Sequence, residues 1–321
     1  MHTKGVVNFF TELGVEIFNV SYSLFKIMIP VIIIVKILEL LGATEYLGLI
    51  LSPIMNLVAL PEEMGIVWAT TILSNIYSGI VVLASLDASS SLTVAEITVL
   101  SSMMLLAHNI PVEGMIARKA GVSWPVVLTV RIVGGIVFGF IVSLVYQNFE
   151  SYDVIVELPL LANNDSSFNI KSWALDQLKN ILIIQGVIII LLFALKILKA
   201  IGIERILTLM LSPILRLVGI GRQATTLTII GVTLGLAYGG GMLINESKKG
   251  NISSKDVFSS IVMLCMLHAL IEDTLILLWI GADINGILWG RIVFALLVTI
   301  ALSQVIRYIP DSTFEKHLFG R

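Results

Sequence analysis

Two histidines, each followed by a carboxylate within an apolar stretch, are the residues of this chain best suited to chemistry. His108 precedes Glu113 by five positions, and His268 precedes Asp273 by five, with Glu272 alongside. A charged side chain near the centre of a membrane span costs at least about 2.5 kcal/mol, so it usually faces a partner or a water-filled path. Histidine also titrates near neutral pH. These five residues predict ion or proton handling, with H⁺ or Na⁺ as the coupling ion.

Two other interpretations of the histidines stay open on the sequence. On one continuous helix, Cys265, His268 and Glu272 share a face through their i, i+3 and i+7 spacing, and that face could ligate a soft divalent cation. The first half of the chain has Leu105 in place of the cysteine, which weakens the metal interpretation. The histidines could also be hydrogen-bonded structural groups.

The histidines occupy equivalent places in a sequence that repeats itself. Residues 36–58 match residues 196–218 at twelve of twenty-three positions, and the same offset of 160 pairs His108 with His268. Such self-similarity indicates a duplication. The sequence therefore predicts a first repeat at 1–146, which includes an amphipathic N-terminal helix, an external polar linker at 147–177, and a second repeat at 178–321.

The composition places the chain in a membrane. Hydrophobic residues make up 57% of it and charged residues 13%, and its mean hydropathy is +0.99, which excludes a water-soluble globule. The apolar runs are continuous rather than alternating, so the spans are helices and the fold class is all-α. Six runs are long enough to cross: 21–42, 94–116, 124–146, 180–201, 256–278 and 286–308.

The charges in equivalent connectors change sign between the repeats. The connector with Glu62 and Glu63 in the first repeat corresponds to one with Arg222 in the second. The connector with Arg118 corresponds to one with Asp283. Lysine and arginine favour the cytoplasmic side, so equivalent loops should lie on opposite faces. This predicts inverted-topology repeats of three spans each, with both termini in the cytoplasm. The predicted location is the inner (cell) membrane.

Two further segments of each repeat need a place. The LSPI segments, 44–59 and 203–218, are short and predict helices lying along the membrane interface. The next segments, 61–86 and 221–245, are interrupted at their centres by SNIYSG (74–79) and GLAYGGG (235–241). Because glycine runs destabilise a helix interior, these centres predict the tips of re-entrant helical hairpins. The alternative is that the glycines serve close helix packing.

One arginine lies well inside the last span of each repeat. Arg131 and Arg291 are separated by the same 160 residues as the histidines. They could extend to the two membrane interfaces, but we favour buried ion pairs, with Glu113 in the first repeat and with the Glu272–Asp273 pair in the second.

These segments resemble the nucleoside recognition, or Gate, domain family. The resemblance rests on an LSPI helix followed by a broken hairpin, on YGGGMLINESKKGNISSKDV at 238–257, and on HALIEDT at 268–274. Related domains occur in spore maturation proteins A and B, in the membrane part of the ferrous-iron transporter FeoB, and in concentrative nucleoside transporters. The nucleoside transporters have a similar order of elements, and they hold nucleoside and coupling cation at the hairpin tips and the broken spans.

By position, the resemblance implies a set of substrate-binding residues beside the ion-handling residues. These are Asn75, Ser78, Gly79 and Asn109 in the first repeat, and Tyr238, Gly239 and Gly240 in the second. The implied partner is a small-molecule substrate in a lipid bilayer, not a nucleic acid polymer. Similar nucleoside transporters assemble as trimers, so the resemblance also allows a homo-oligomer.

The leading hypothesis is an ion-coupled secondary transporter of a small polar solute, such as a nucleoside or a related metabolite, without a further cofactor. One alternative is a divalent metal transporter of the iron type, although the hairpin lacks the cysteine before proline found in that group and no GTPase loop is present. Another is a membrane partner that transports nothing, whose role should survive loss of His268 and Glu272. An intramembrane enzyme is disfavoured, because no nucleophile accompanies a duplicated base.

Overall fold

The computed structural model describes residues 2–86, 92–148, 152–158, 169–217 and 220–320, and these residues contain helices but no sheet. The first half holds α1 (His2–Leu40), α2 (Ala43–Leu57), α3 (Met64–Leu73), α4 (Ile76–Ser85), α5 (Val94–Leu106), α6 (Ile110–Lys119), α7 (Trp124–Leu128) and α8 (Gly134–Tyr146). The second half holds α9 (Ile170–Ala200), α10 (Ile203–Leu217), α11 (Arg222–Leu234), α12 (Leu236–Lys248), α13 (Ser254–Met266), α14 (Leu270–Trp279), α15 (Arg291–Tyr308) and α16 (Asp311–His317). The predicted all-α class is confirmed.

Five helical stretches of the described chain are long and apolar enough to cross a membrane. They are Val94–Lys119, Trp124–Tyr146, Ile170–Leu198, Ser254–Trp279 and Asn285–Tyr308. The remaining predicted run, 21–42, lies mostly within the 39-residue helix α1. Helix α9 begins at Ile170, inside the segment predicted as the linker. Residues 149–151 and 159–168 of that segment lie outside the described part.

Several helix bounds recur at the offset of the sequence repeat. Helices α2, α5 and α6 begin and end 160 residues before α10, α13 and α14, respectively. Gly42 and Gly202, which precede α2 and α10, both have a positive φ, of 71° and 81°. Because glycine adopts this conformation without a steric cost, it allows the chain to turn sharply between a long helix and the LSPI helix that follows.

The first predicted hairpin consists of two short helices with a break at its expected centre. Helix α3 ends at Leu73, and α4 begins after Asn75, whose side chain caps it by accepting a hydrogen bond from the Ser78 amide at 2.9 Å. Such a cap satisfies one of the free amides at a helix start. The break in 74–79 was therefore predicted correctly.

The second predicted hairpin breaks within the predicted segment, 235–241, but at its first residue and not at the triple glycine. The interruption is at Gly235, with φ 97°, whereas Gly239, Gly240 and Gly241 lie inside α12. The prediction that the triple glycine itself opens the helix was wrong. A side chain at Gly239 would overlap Gly231 of α11, so this glycine allows two helices to approach closely, and their packing offsets its low helix propensity.

Two broken spans form the centre of the molecule. An apolar stretch of 18 residues is 72% buried in Val94–Lys119 and 67% buried in Ser254–Trp279. The corresponding stretch is only 22% buried in Ile170–Leu198 and 33% buried in Asn285–Tyr308. Helix α8 packs along α5, and α15 packs along α13. The residues at the two interruptions are therefore held on all sides by other helices.

Candidate functional site

Both central spans are interrupted for three residues, with the histidine in the middle of each interruption. Helix α5 ends at Leu106 and α13 ends at Met266, and the residues after the histidines, Asn109 and Ala269, have left-handed φ values of 48° and 45°. Asparagine tolerates this conformation, but alanine rarely adopts it. Strained backbone of this kind is concentrated at functional sites. The interruptions turn the two histidine side chains into the space between the spans.

The two histidines meet at their ring nitrogens. His108 Nε2 and His268 Nε2 are 3.0 Å apart, and both side chains are buried. The Nδ1 atoms lie 2.9 Å from the Met104 carbonyl oxygen and 2.7 Å from the Leu264 carbonyl oxygen. Because a carbonyl oxygen can only accept a hydrogen bond, each Nδ1 carries a proton and donates it. Each Nε2 therefore presents its second proton position or its lone pair to the other ring.

Two fully buried arginines hold the interruptions together. Arg131 donates from Nε to the Leu106 carbonyl at 3.0 Å and from Nη2 to the His108 carbonyl at 2.6 Å. Arg291 donates from Nε to the Met266 carbonyl at 2.8 Å and from Nη2 to the His268 carbonyl at 2.9 Å. The guanidinium groups thereby satisfy carbonyls that the broken helices leave free, as a low-dielectric setting requires.

Both arginines emerge from unusual helix geometry. Arg131 lies in a π-helical segment, Thr129–Val133, and Arg291 directly follows another, Asn285–Gly290. Single π-helical turns inside α-helices frequently occur at functional sites. Nothing in the sequence pattern indicated these turns or the carbonyls that the arginines would bind.

The carboxylates of the two repeats complete the cluster. Glu113 forms the predicted ion pair with Arg131, and its Oε1 lies 3.2 Å from His268 Nε2 and 3.5 Å from His108 Nε2. Asp273 Oδ2 lies 3.6 Å from Arg291 Nη2 and 3.9 Å from His108 Nε2, and no described residue forms a hydrogen bond with it. Each half of the chain therefore contributes a histidine, an acid and an arginine to one buried cluster.

Glu272 has a different partner from the one that the sequence suggested. The Tyr77 hydroxyl, at the start of α4 in the first half, donates to Glu272 Oε1 at 3.2 Å. In the second hairpin, a side chain at Gly240 would approach Ile116 of α6 to 2.8 Å. Each hairpin therefore contacts the broken span of the other half. Sequence reasoning did not assign a role to Tyr77.

The predicted substrate residues of the first half lie beside the interruption but bond mainly among themselves. Asn75 and Ser78 are buried and hydrogen-bonded to each other and to Ser74. A side chain at Gly79 would overlap Thr71 Oγ1, so this glycine lies at a tight helix contact. The backbone N–H of Asn109 donates to the Thr71 carbonyl at 3.0 Å, and this hydrogen bond connects the first hairpin to the first broken span.

In the second half, the structure separates the predicted residues. Gly239 packs against α11 and Gly240 against α6, as described above, and the side chain of Tyr238 lies outside the described part. The metal-binding face predicted for Cys265, His268 and Glu272 required a continuous helix. The helix is interrupted at Ala269, so these three residues do not share a helix face. The metal-ligating atoms that do converge, within 4.8 Å of one another, belong to His108, His268 and Asp273.

A cavity of about 620 Å³ is lined by residues from other helices. Phe138 and Tyr146 of α8 and Trp289 and Phe294 near α15 form much of its wall, together with further apolar side chains. None of the ionisable residues of the central cluster lines it. Its aromatic lining suits an acyl chain better than a polar solute.

Comparison with known proteins agrees with the membrane assignment. Uncharacterized membrane protein YvoD of Bacillus subtilis (strain 168) is 28% identical to this chain over 291 residues, which are 89% of this chain and 91% of that protein. The chain is a multi-pass membrane protein. No family model matches the chain, and no solved structure matches it.

Proposed function

We propose that this protein is an ion-coupled secondary transporter of a small polar solute. The observation that carries the proposal is the buried cluster of two histidines, two carboxylates and two arginines at the interruptions of both central spans. Ionisable groups at such positions in membrane proteins usually belong to an ion or substrate path, because their burial is otherwise costly. Nucleosides and related metabolites are the first solutes to test, on the family resemblance.

The broken spans also supply a way to move. In transporters with discontinuous helices, the half-helix ends face the substrate or ion, and one group of helices rocks against the other. Here the contact of Tyr77 with Glu272 links the first hairpin to the second broken span. Ion binding at the histidines would therefore alter the hairpin that covers the solute, which is the coupling that a secondary transporter needs.

The solute would bind where the hairpins meet the broken spans. Asn75, Ser78 and Asn109 offer polar groups there, and the hydrogen bonds that Asn75 and Ser78 now make with each other would be exchanged for bonds to the solute. Gly79, Gly239 and Gly240 would permit the close helix contacts of the two hairpins rather than touch the solute. We further propose two inverted repeats, with re-entrant hairpins and both termini in the cytoplasm.

Uptake into proteoliposomes tests the proposal. Purified protein should accumulate one member of a panel of nucleosides, nucleobases and small carboxylates when a gradient of protons, Na⁺ or a divalent cation is imposed. His108→Gln should abolish the gradient-driven part, whereas Glu315→Gln, at an exposed position of α16, should retain it. Wild-type protein that accumulates none of the panel, and whose thermal stability none of these solutes raises, would contradict the proposal and favour a membrane partner that transports nothing.

A further inference from the structure

We infer that the ion bound by the central cluster is a divalent transition-metal ion, held by Nε2 of His108 and of His268 together with Glu113 Oε1 and Asp273 Oδ2. The inference rests on the proposed function only in taking this cluster as the ion site. It differs from the sequence-based metal hypothesis, because neither Cys265 nor Glu272 is among the ligands.

The histidines are oriented as metal ligands are. A histidine that binds a metal usually donates its other ring N–H to a carboxylate or a backbone carbonyl, which fixes the tautomer and the direction of the lone pair. Both histidines here donate from Nδ1 to a carbonyl four residues earlier, in the helix that precedes them, at 2.9 Å and 2.7 Å. Two neutral rings held in this way would bring two lone pairs together at 3.0 Å. A cation between the rings removes that repulsion.

A shared proton would also remove the repulsion, but it would serve only the two nitrogens. Asp273 Oδ2 is buried and lies 3.9 Å from His108 Nε2; beyond its 3.6 Å ion pair with Arg291 Nη2, it makes no hydrogen bond within the described part of the chain. Burying an acceptor without a partner is costly. Glu113 Oε1 lies 3.2 Å from His268 Nε2 and 3.5 Å from His108 Nε2. A metal ion ligated by all four atoms accounts for the unpartnered oxygen as well as for the facing nitrogens.

The donor types select the class of ion. Two imidazoles with two carboxylates suit zinc, ferrous iron and their neighbours in the first transition row, whereas magnesium and calcium prefer all-oxygen sites. A tetrahedral ion with bonds of about 2.0 to 2.1 Å separates two nitrogens by about 3.3 Å. The two rings would therefore move apart by only a few tenths of an ångström from their present 3.0 Å.

The surrounding charges suit a cation that is bound and then released. Arg131 pairs with Glu113, and Arg291 lies 3.6 Å from Asp273, so the arginines offset the charge of the two carboxylates that would otherwise hold a divalent ion tightly. Of the other groups near the cluster, Glu272 is hydrogen-bonded to Tyr77. Conduction and transport require binding that is weak enough to allow exit. We therefore expect a transported ion, not a permanently bound structural one.

Cobalt binding to the purified full-length protein tests the inference. Co²⁺ should bind with a stoichiometry of one per chain in equilibrium dialysis, and it should give the visible absorption of a four-coordinate site. His268→Gln and Asp273→Asn should each weaken binding by at least about tenfold, in line with the effect of disturbing a metal site. His317→Gln, which removes an exposed histidine on α16, and Cys265→Ser should bind Co²⁺ as the wild type does.

Two results would overturn the inference: no saturable Co²⁺ binding by the wild type, or equal binding by the wild type and His268→Gln. If His268→Gln does not fold, displacement of bound Co²⁺ from the wild-type protein by other cations tests the site. An excess of Zn²⁺ should displace Co²⁺, whereas Mg²⁺ and Na⁺ should not. Uptake assays separate this inference from the proposed function. Gradient-driven solute uptake without Co²⁺ binding would refute the metal site alone, whereas absence of both would refute the transporter as well.

Discussion

The two halves of the central cluster use the same residue types but are not equally tight. In the first half, Arg131 donates hydrogen bonds to Glu113 and to two carbonyls. In the second half, Arg291 also binds two carbonyls, but its Nη1 has no hydrogen-bond partner among the described residues and Asp273 lies 3.6 Å from its Nη2. Aspartate is one methylene shorter than glutamate. The shorter side chain accords with the looser pair: Arg291 and Asp273 form an ion pair at 3.6 Å, whereas Arg131 donates a hydrogen bond to Glu113.

The second half also has a contact that the first lacks. Glu272 accepts a hydrogen bond from Tyr77, whereas the equivalent position in the first half is Val112, which is 52% exposed. The two halves thus differ in how tightly their side chains are bonded, and we call the first the fixed half and the second the adjustable half. We expect that the fixed half maintains the fold and that the adjustable half changes its contacts when an ion binds.

The largest expected difference between the halves concerns the arginines. Arg131→Gln removes the charge partner of buried Glu113 and should destabilise the protein by about 3–5 kcal/mol, the usual cost of breaking a buried ion pair. Arg291→Gln should cost clearly less, because its pairing with Asp273 is already incomplete. Thermal unfolding of both variants in detergent measures the difference. Equal losses would show that the two halves contribute alike and would remove the basis for a fixed half.

The second prediction compares two glycines of the same helix. A methyl group at Gly239 would lie 2.7 Å from the Gly231 amide nitrogen, and backbone atoms cannot rotate away, so Gly239→Ala should destabilise the protein by about 2–3 kcal/mol. Gly241 has nothing within 4 Å of such a methyl group, so Gly241→Ala should be neutral or stabilise α12 by up to about 1 kcal/mol. Unfolding measurements on the pair test this, and similar effects at both positions would restore the interpretation of the glycine run as an open tip.

The sequence was sufficient for what depends on local patterns and on the repeat. Apolar runs predicted the crossing helices, the break at Asn75 was expected, and the offset of 160 brought His108, Glu113 and Arg131 into correspondence with their counterparts. It was insufficient where tertiary contacts decide. The glycine run of α12 stays helical because α11 packs against it, and Tyr77 acquires its role only through a helix 195 positions away in the chain.

The cluster itself was predicted as a set of residue types but not as an arrangement. Pairing of Arg131 with Glu113 followed from the need to compensate buried charge. The interruption around His268 did not follow, because Ala269 is an unusual residue for a left-handed conformation and no glycine or proline marks the site. For that reason Cys265 was placed on a face that the broken helix does not have.

The third prediction converts the adjustable half into a copy of the fixed one. Asp273→Glu adds the methylene that Glu113 already has, so the longer carboxylate should reach Arg291 and gain a charge-assisted hydrogen bond. The expected stabilisation is about 1–2 kcal/mol, at the expense of the transport rate, since the free acceptor is lost. The reverse variant, Glu113→Asp, serves as the matched control and should lower stability. A stabilised Asp273→Glu protein that transports at the wild-type rate would contradict the view that the free acceptor takes part in ion binding.

The smallest expected effect lies at the two left-handed residues. Asn109 and Ala269 occupy equivalent positions with φ values of 48° and 45°, but only asparagine adopts this conformation readily. Ala269→Asn should therefore stabilise the protein by about 0.5–1 kcal/mol, because strain is relieved without the added chain entropy that glycine would bring to the unfolded state. Asn109→Ala should have the opposite sign and a similar size, which thermal unfolding of the two variants can measure. If Ala269→Asn is instead destabilising while Asn109→Ala is neutral, the strain at Ala269 is not a local backbone cost, and the two interruptions differ in more than their side chains.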